Sequence, residues 1–185
     1  MTGIMAAIPG TLPEIIYANG LYRGTYSGYF NDNVNYFDAA TPTASAADTS
    51  PIGTPSNVAF TSYQWLGYWL VTADTIYLDG TTYFQTSSED TSWMWIGPTA
   101  LTGYTTGNAL INNGGGARLN VVTVSANTPL TLGQYYPIRI QYGVNNINTP
   151  QPASIFDFRV FSNSLNTYTT AMPSNIFYNS ITNEF

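Results

Sequence analysis

Two adjacent acidic residues, Glu89 and Asp90, stand in a Ser-Ser-Glu-Asp-Thr-Ser stretch of a chain with only ten carboxylates. Neighbouring carboxylates repel unless a cation or strong donors lie between them, so the pair reads either as a cation site or as a solvated turn with diverging side chains. A second polar cluster, Gly143-Val144-Asn145-Asn146-Ile147-Asn148, follows the apolar run Tyr135 to Tyr142. Asparagine and backbone carbonyls are good ligands for Ca²⁺, which takes about six to eight oxygens and is not satisfied by two carboxylates alone. A calcium site drawn from both loops is chemically sensible, whereas either loop alone reads as an ordinary polar turn.

Histidine and cysteine are both absent. That excludes a nucleophile with a histidine base, the usual zinc sites, haem and thiolate clusters. Any metal must be held by oxygen, which points to a hard cation such as Ca²⁺. Glycoside hydrolysis needs two carboxyls about 5–9.5 Å apart across a cleft. Asp32, Asp38, Asp74 and Asp157 are candidates in type, but no spacing pairs them, and the expectation is a protein that is not an enzyme.

The formal net charge is −6, and the four basic residues, Arg23, Arg118, Arg139 and Arg159, are scattered along a chain without lysine. No basic stripe exists to neutralise phosphates, so no nucleic acid is expected as partner, and an anionic membrane surface is disfavoured as well. No apolar run approaches the roughly 20 residues of a membrane span, so no membrane insertion is expected. Met1 to Ile8 carries no basic residue and does not read as a secretion leader; no asparagine begins an Asn-x-Ser/Thr acceptor. Charged residues are 8% of the chain, against about 25% in an average soluble domain. Solubility therefore rests on Thr, Asn, Ser and Gly, while 15% aromatic residues argue against disorder.

The elements that must position these loops are strands. No window of helical length carries apolar residues at helical spacing, whereas short runs rich in Tyr, Phe, Trp, Val, Ile and Thr recur between Gly, Pro, Asn, Asp and Ser. Strands are expected over Ala59–Leu70, Thr75–Leu78, Thr81–Gln85, Ser92–Ile96, Arg118–Ser125, Tyr135–Tyr142 and Ser154–Phe161, with Asp79-Gly80 as a hairpin turn. Gly20 to Phe30 alternates aromatic and small residues, and Ala39 to Pro55 reads as a long surface loop. The fold class is all-β, an antiparallel β-sandwich (jelly-roll-like) of about eight to ten strands with long loops. Residues 1–19 read as an N-terminal arm and 20–162 as the sandwich domain. Residues 163–185 read as a C-terminal segment packed on that domain or on a neighbouring subunit. Trp65 with Trp69, and Trp93 with Trp95, share faces of their strands and are expected in the core. Tyr104 lies in a loop and is the better candidate for ligand contact.

The order of motifs resembles a known family. Gly20-Leu21-Tyr22 with Gly28-Tyr29-Phe30, Trp65-Leu66-Gly67-Tyr68-Trp69, Thr86-Ser87-Ser88-Glu89-Asp90 leading into Trp93-Met94-Trp95-Ile96-Gly97, and Tyr135-Tyr136-Pro137-Ile138-Arg139-Ile140-Gln141-Tyr142 follow one another as in the GLEYA-type lectin domain of yeast flocculins and its anthrax-protective-antigen-type relatives. The segment Gly28 to Phe37, GYFNDNVNYF, is most similar to versions in structural proteins of phages and large algal viruses. The resemblance covers roughly residues 20 to 162. It implies a β-sandwich with a Ca²⁺ held by two consecutive aspartates joined by a cis peptide, with an asparagine and carbonyls from a second loop. In such domains the ion also binds vicinal hydroxyls of a terminal sugar. Carried over by position, the acidic pair is Glu89 and Asp90. The second-loop ligand is Asn145, with Asn146 as the alternative and the Ile147 carbonyl nearby. Glu89 departs from the pattern, because its extra methylene moves the carboxylate by more than about 1 Å.

The function implied is non-enzymatic carbohydrate recognition or adhesion, with a glycan carrying vicinal hydroxyls and other virion or surface subunits as partners. A virion surface is the expected location, with an extracellular or cell surface as the alternative. The alternative function is a capsid decoration, fibre or tail protein that acts in assembly and keeps a vestigial lectin site.

Overall fold

The computed structural model describes residues 17–48, 58–88, 90–115, 120–125, 129–145, 156–170 and 176–180. Two antiparallel sheets face each other. The larger contains β1 (Tyr17–Asn19), β2 (Leu21–Ser27), β3 (Ala44–Asp48), β4 (Thr61–Leu70), β6 (Thr91–Ile96), β7 (Ile111–Asn113), β9 (Tyr135–Val144) and β12 (Phe177–Ser180), in the order β1-β12-β4-β9-β6-β7. β2 joins it by pairing with both β3 and β4. The smaller sheet has the order β11-β10-β5-β8, from β5 (Tyr83–Ser88), β8 (Asn120–Ser125), β10 (Phe156–Ser162) and β11 (Thr167–Thr169). The expected all-β antiparallel sandwich is what the chain forms.

The long central strands explain the arrangement. On β4, Tyr63, Trp65 and Trp69 point between the sheets, where each is at most 2% exposed. They meet aromatic rings of the smaller sheet: Trp65 stacks on Phe156 at 5.2 Å, and Trp69 meets Phe84 edge-on at 4.9 Å. Burying such a side chain contributes roughly 1.5–3 kcal/mol relative to leaving it in water. β6 is buried on both faces. Met94 enters the inter-sheet core, while Trp93 and Trp95 point to the other side and form a second cluster with Tyr26, Phe30, Val34, Phe37, Ala100 and Tyr104. All four tryptophans are thus core residues, in two cores rather than one. The Gly28 to Ala40 segment supplies most of the lid of the second core, including the single helical turn α1 (Tyr36–Ala39).

Several elements differ from the sequence expectation. Ala44 to Asp48, expected within a loop, is a strand paired with β2 in register Leu21↔Asp48 to Thr25↔Ala44. Its Ala-Ser-Ala-Ala-Asp sequence carries no β-branched or aromatic signal, because four of its five side chains are exposed; beyond the backbone ladder, Tyr22 OH donates to Ser45 Oγ at 3.0 Å and Arg23 pairs with Asp48 at 3.4 Å. Thr75 to Leu78 is not a strand: Thr75 turns back on Thr72, and Tyr77 and Thr81 close the Asp79-Gly80 turn through Tyr77 N–H to Thr81 O at 2.9 Å. Residues 17–19 and 177–180 pair with each other, and β12 continues onto β4. No helix among the described residues is long and apolar enough to cross a membrane.

Candidate functional site

β5 ends at Ser88 in the smaller sheet and β6 starts at Thr91 in the larger one, so the chain changes sheets between Ser88 and Thr91. A buried hydroxyl network fixes this crossing from below. Ser88 Oγ donates to Ser92 Oγ at 2.9 Å, and Ser92 Oγ donates to Thr86 Oγ1 at 3.0 Å. Asn113 Nδ2, on β7, donates to Ser88 Oγ at 2.9 Å and to Ser92 Oγ at 3.3 Å. Asp90 itself has φ +60°, a left-handed conformation that non-glycine residues adopt sparingly.

The Asp90 side chain is 3% exposed, and its Oδ2 accepts the backbone N–H of Asn145 at 2.9 Å. Asn145 lies just past the end of β9, so this bond ties together the two loops, 55 residues apart in sequence. Burial pushes the Asp90 carboxyl above its ordinary pKa, and the Asn145 amide offsets this in part. The ion pairs found among the described residues, Arg23–Asp48 and Arg159–Asp157, lie elsewhere and do not compensate it.

Three further residues wall the junction. Phe60 N–H donates to the Asn145 carbonyl at 3.3 Å, and the Phe60 carbonyl accepts Gly28 N–H at 2.6 Å. Phe60 holds φ +55° and is 57% exposed, an unusual combination for a large apolar side chain. The Tyr29 hydroxyl shares a 2.7 Å hydrogen bond with Thr91 Oγ1; burial raises its pKa, and the charges of Asp32 and Asp90 add to the effect. Asp32 accepts Gly115 N–H at 2.9 Å and Trp93 Nε1–H at 3.3 Å, pinning the glycine-rich 112–115 segment to the Gly28–Val34 segment. Two glycines make these contacts feasible by close approach. A Cβ on Gly143 would lie 2.6 Å from the Phe30 ring and 2.9 Å from the Tyr29 ring, and one on Gly114 would lie 2.5 Å from the Trp93 ring.

Of the expected site residues, the fold brings Asp90 and Asn145 together, while Glu89, Asn146 and Ile147 lie outside the described residues. Tyr104 is a correction. It is 5% exposed, its hydroxyl donates to Asp38 Oδ1, and the Arg139 guanidinium lies 3.9 Å from its ring centre. Such a ring carries an internal cation instead of facing a ligand. Phe60 falls inside the strand expected over Ala59–Leu70, where an aromatic reads as an ordinary core residue; β4 starts only at Thr61, and the left-handed φ of Phe60 is set by bonds to Gly28 and Asn145, which are distant in sequence.

The junction brings together the Asp90 carboxylate and the backbone carbonyl oxygens of Asn145 and Phe60, the kind of oxygen a hard cation takes. A buried carboxylate with one neutral amide and no counter-ion among the described residues has room for such a charge. Among the described residues no group of three His, Cys, Asp or Glu could hold an ion, so any cation there would need further oxygens from outside them, such as Glu89, Asn146 or Ile147, or from ligand or water.

Comparison with known proteins places the fold in a family. A family model described as the GLEYA domain matches residues 61–159, more than half of the chain. No curated protein sequence matches significantly. Among solved structures, the epithelial adhesin 6 A domain of Candida glabrata, in complex with Galβ1-3GlcNAc, superposes with a TM-score of 0.63 at 13% identity, over 94% of this chain and 91% of that one. The epithelial adhesin 9 A domain of Candida glabrata, in complex with Galβ1-4GlcNAc, superposes with a TM-score of 0.58 at 13% identity, over 97% and 98%. The PA14 domain of the antifreeze protein MpAFP does so with a TM-score of 0.61 at 14% identity, over 94% and 96%. At these identities the likeness is one of fold.

Proposed function

Because the chain belongs to the GLEYA domain family, we propose that it is a non-enzymatic carbohydrate-recognition domain of an adhesion-type protein, with its ligand bound at the Asp90–Asn145 junction. The observation that carries the reading is the bond between Asp90 Oδ2 and Asn145 N–H, which assembles two distant loops around a buried, uncompensated carboxylate. Asp90 would hold a Ca²⁺ together with Glu89, Asn145 or Asn146 and the Ile147 carbonyl. The ion would supply a positive charge for two vicinal hydroxyls of a terminal sugar. Asp90 is oriented for this by the Asn145 amide and by the hydroxyl network beneath it. Phe60 offers an apolar face beside the ion, against which the C–H face of a pyranose can pack. Tyr29 and Asp32 close the opposite wall and add acceptors for further sugar hydroxyls.

The glycans bound by the Candida adhesin domains make Galβ1-4GlcNAc a sensible first ligand. Calorimetric titration with it in CaCl₂ is expected to give binding that EGTA abolishes and that Asp90→Asn loses. Equal binding in EGTA, or in the variant, would refute a calcium site at this junction. We place the domain on a virion or cell surface, with neighbouring structural subunits as its second class of partner. Support for this is the sparsely charged surface and the similarity of Gly28 to Phe37 to viral versions. Immunolabelling of intact particles or cells against permeabilised ones tests the placement.

A further inference from the structure

At the far end of the molecule a second concave site opens on the outer face of the smaller sheet. Tyr77, Asp79, Thr81, Tyr83, Phe161 and Tyr168 line a cavity of about 350 Å³. Tyr83 is the first residue of β5 and Ser88 the last, so at about 3.3 Å per residue the cavity lies some 17 Å along the sheet from the sheet crossing at Asp90. It also faces away from the inter-sheet core: Phe84, Phe158 and Val160 point inward, while Tyr83 and Phe161, each one residue beyond the Phe84↔Val160 pair, point out.

Tyr77 is stacked with Phe161 at 5.8 Å and meets Tyr83 edge-on at 5.6 Å, and Phe161 meets Tyr168 edge-on at 5.3 Å. Four aromatic rings gathered on a water-facing surface are not needed to close either core. The Tyr168 hydroxyl, raised in pKa by burial, also feels those of Tyr77 and Tyr83, so three phenols converge on one space. Asp79 adds a carboxylate, held ionised below its ordinary pKa by the Thr81 hydroxyl and amide; the amide bond is 2.9 Å. A second hollow of about 450 Å³ shares the Tyr77–Phe161 wall, leaving room for a ligand of more than one ring.

These features select the ligand. The lining has a negative charge and no cation, and Arg159, two residues back along β10, is committed to Asp157 at 2.8 Å and Gln85 at 3.3 Å. Phosphates, sulfates and uronic or sialic acids are therefore disfavoured. A purely apolar ligand would bury three phenols and a carboxylate without partners, at a cost. A neutral pyranoside satisfies both halves, with C–H faces on the rings and hydroxyls on Asp79 and the phenols. We propose that this cleft is a second, calcium-independent binding site for neutral saccharides, separate from the Asp90 junction.

The test uses the whole protein with ¹³C-labelled tyrosine rings, in EGTA so that the first site is silent. Methyl β-galactoside, methyl α-mannoside, lactose and cellobiose are titrated while the ring signals are followed, with sialyllactose as the anionic control. At least one neutral sugar is expected to shift the Tyr77, Tyr83 and Tyr168 signals with a Kd on the order of millimolar, and sialyllactose is not. Asp90→Asn should retain that response, whereas Tyr77→Ser and Tyr168→Ser, both at the surface, should each weaken it about tenfold. Three results would overturn the proposal: no shift by any neutral sugar, a response lost in Asp90→Asn, or shifts that follow protein concentration and so report self-association. Calcium-dependent binding at Asp90 would stand unaffected by any of the three.

Discussion

Removing water from a carboxylate makes its charge costly, and Asp90 is held in that condition with a single backbone amide as donor. Its neighbour Phe60 is in the reverse condition, a large apolar ring kept in water on a left-handed backbone that costs of order 1–3 kcal/mol. Both are unfavourable alone and both fit a sugar bound beside a cation. Phe60→Ala is therefore expected to weaken glycan binding about tenfold in calorimetry while leaving the thermal midpoint within a degree or so of wild type. A fall in stability with binding intact would make Phe60 a packing residue. At this scale the sequence was informative for residues whose chemistry is intrinsic. The acidic pair and the asparagine cluster stood out by composition, and Asp90 and Asn145 do meet. Tyr104 was misread because exposure is a property of packing: a loop residue becomes buried once Arg139 needs a ring to lie against.

At the scale of elements, turns are fixed by side chains that reach across from other parts of the chain. Asp74 shows how. Its Oδ1 accepts Ser164 N–H at 2.7 Å and its Oδ2 accepts the Ser162 hydroxyl at 2.7 Å, so it closes the turn between β10 and β11. Partial burial by itself would raise its pKa, but the Ser164 and Ser162 donors outweigh that and hold it below the ordinary value. A carboxyl whose folded pKa is depressed stabilises the fold above its unfolded pKa of 3.8, and the contribution fades as pH falls through the lower, folded value. Asp74→Asn should cost about 1 kcal/mol at pH 7, discounted for its solvent exposure, and the gap from wild type should narrow toward pH 2 in urea titrations. A gap constant with pH would assign the effect to lost packing. The strands with apolar alternation were legible to within a few residues, as Tyr135 to Val144 and Phe156 to Ser162 illustrate. β3 was not, because an edge strand of small exposed residues is specified by its partner β2 and not by its own side chains.

At the scale of the molecule, the larger sheet is covered on both faces, and the second core requires an unusual internal cation. Arg139 is 6% exposed; its Nε donates to the Ala100 carbonyl at 2.7 Å, and its other nitrogens reach Gln64 Oε1 and the Leu101 carbonyl. Burial lowers its pKa, while the nearby Tyr104 and Asp38 oppose the shift. Without a carboxylate in direct contact, the charge is supported by dipoles and one aromatic face, an arrangement that depends on the planar fork of a guanidinium. Arg139→Lys should therefore destabilise by about 2 kcal/mol, read as a lower urea midpoint at unchanged slope. Tolerance of the exchange would mean that charge alone suffices. The sandwich class could be read from periodicity and punctuation, but the division into two cores could not. Trp93 and Trp95 share a face as expected, and which side of the sheet that face meets is decided by the Gly28 to Ala40 lid.

The most direct measurement is a pair of thermal melts, in millimolar CaCl₂ and in EGTA, on wild type and on Asp90→Asn. Calcium at about a hundredfold excess over its Kd adds about 2.7 kcal/mol, which for a domain of this size raises Tm by roughly 5–10 °C. A rise of that order in wild type, absent from Asp90→Asn, is what a cation site at the Asp90–Asn145 junction predicts. No rise, or the same rise in both proteins, would contradict it.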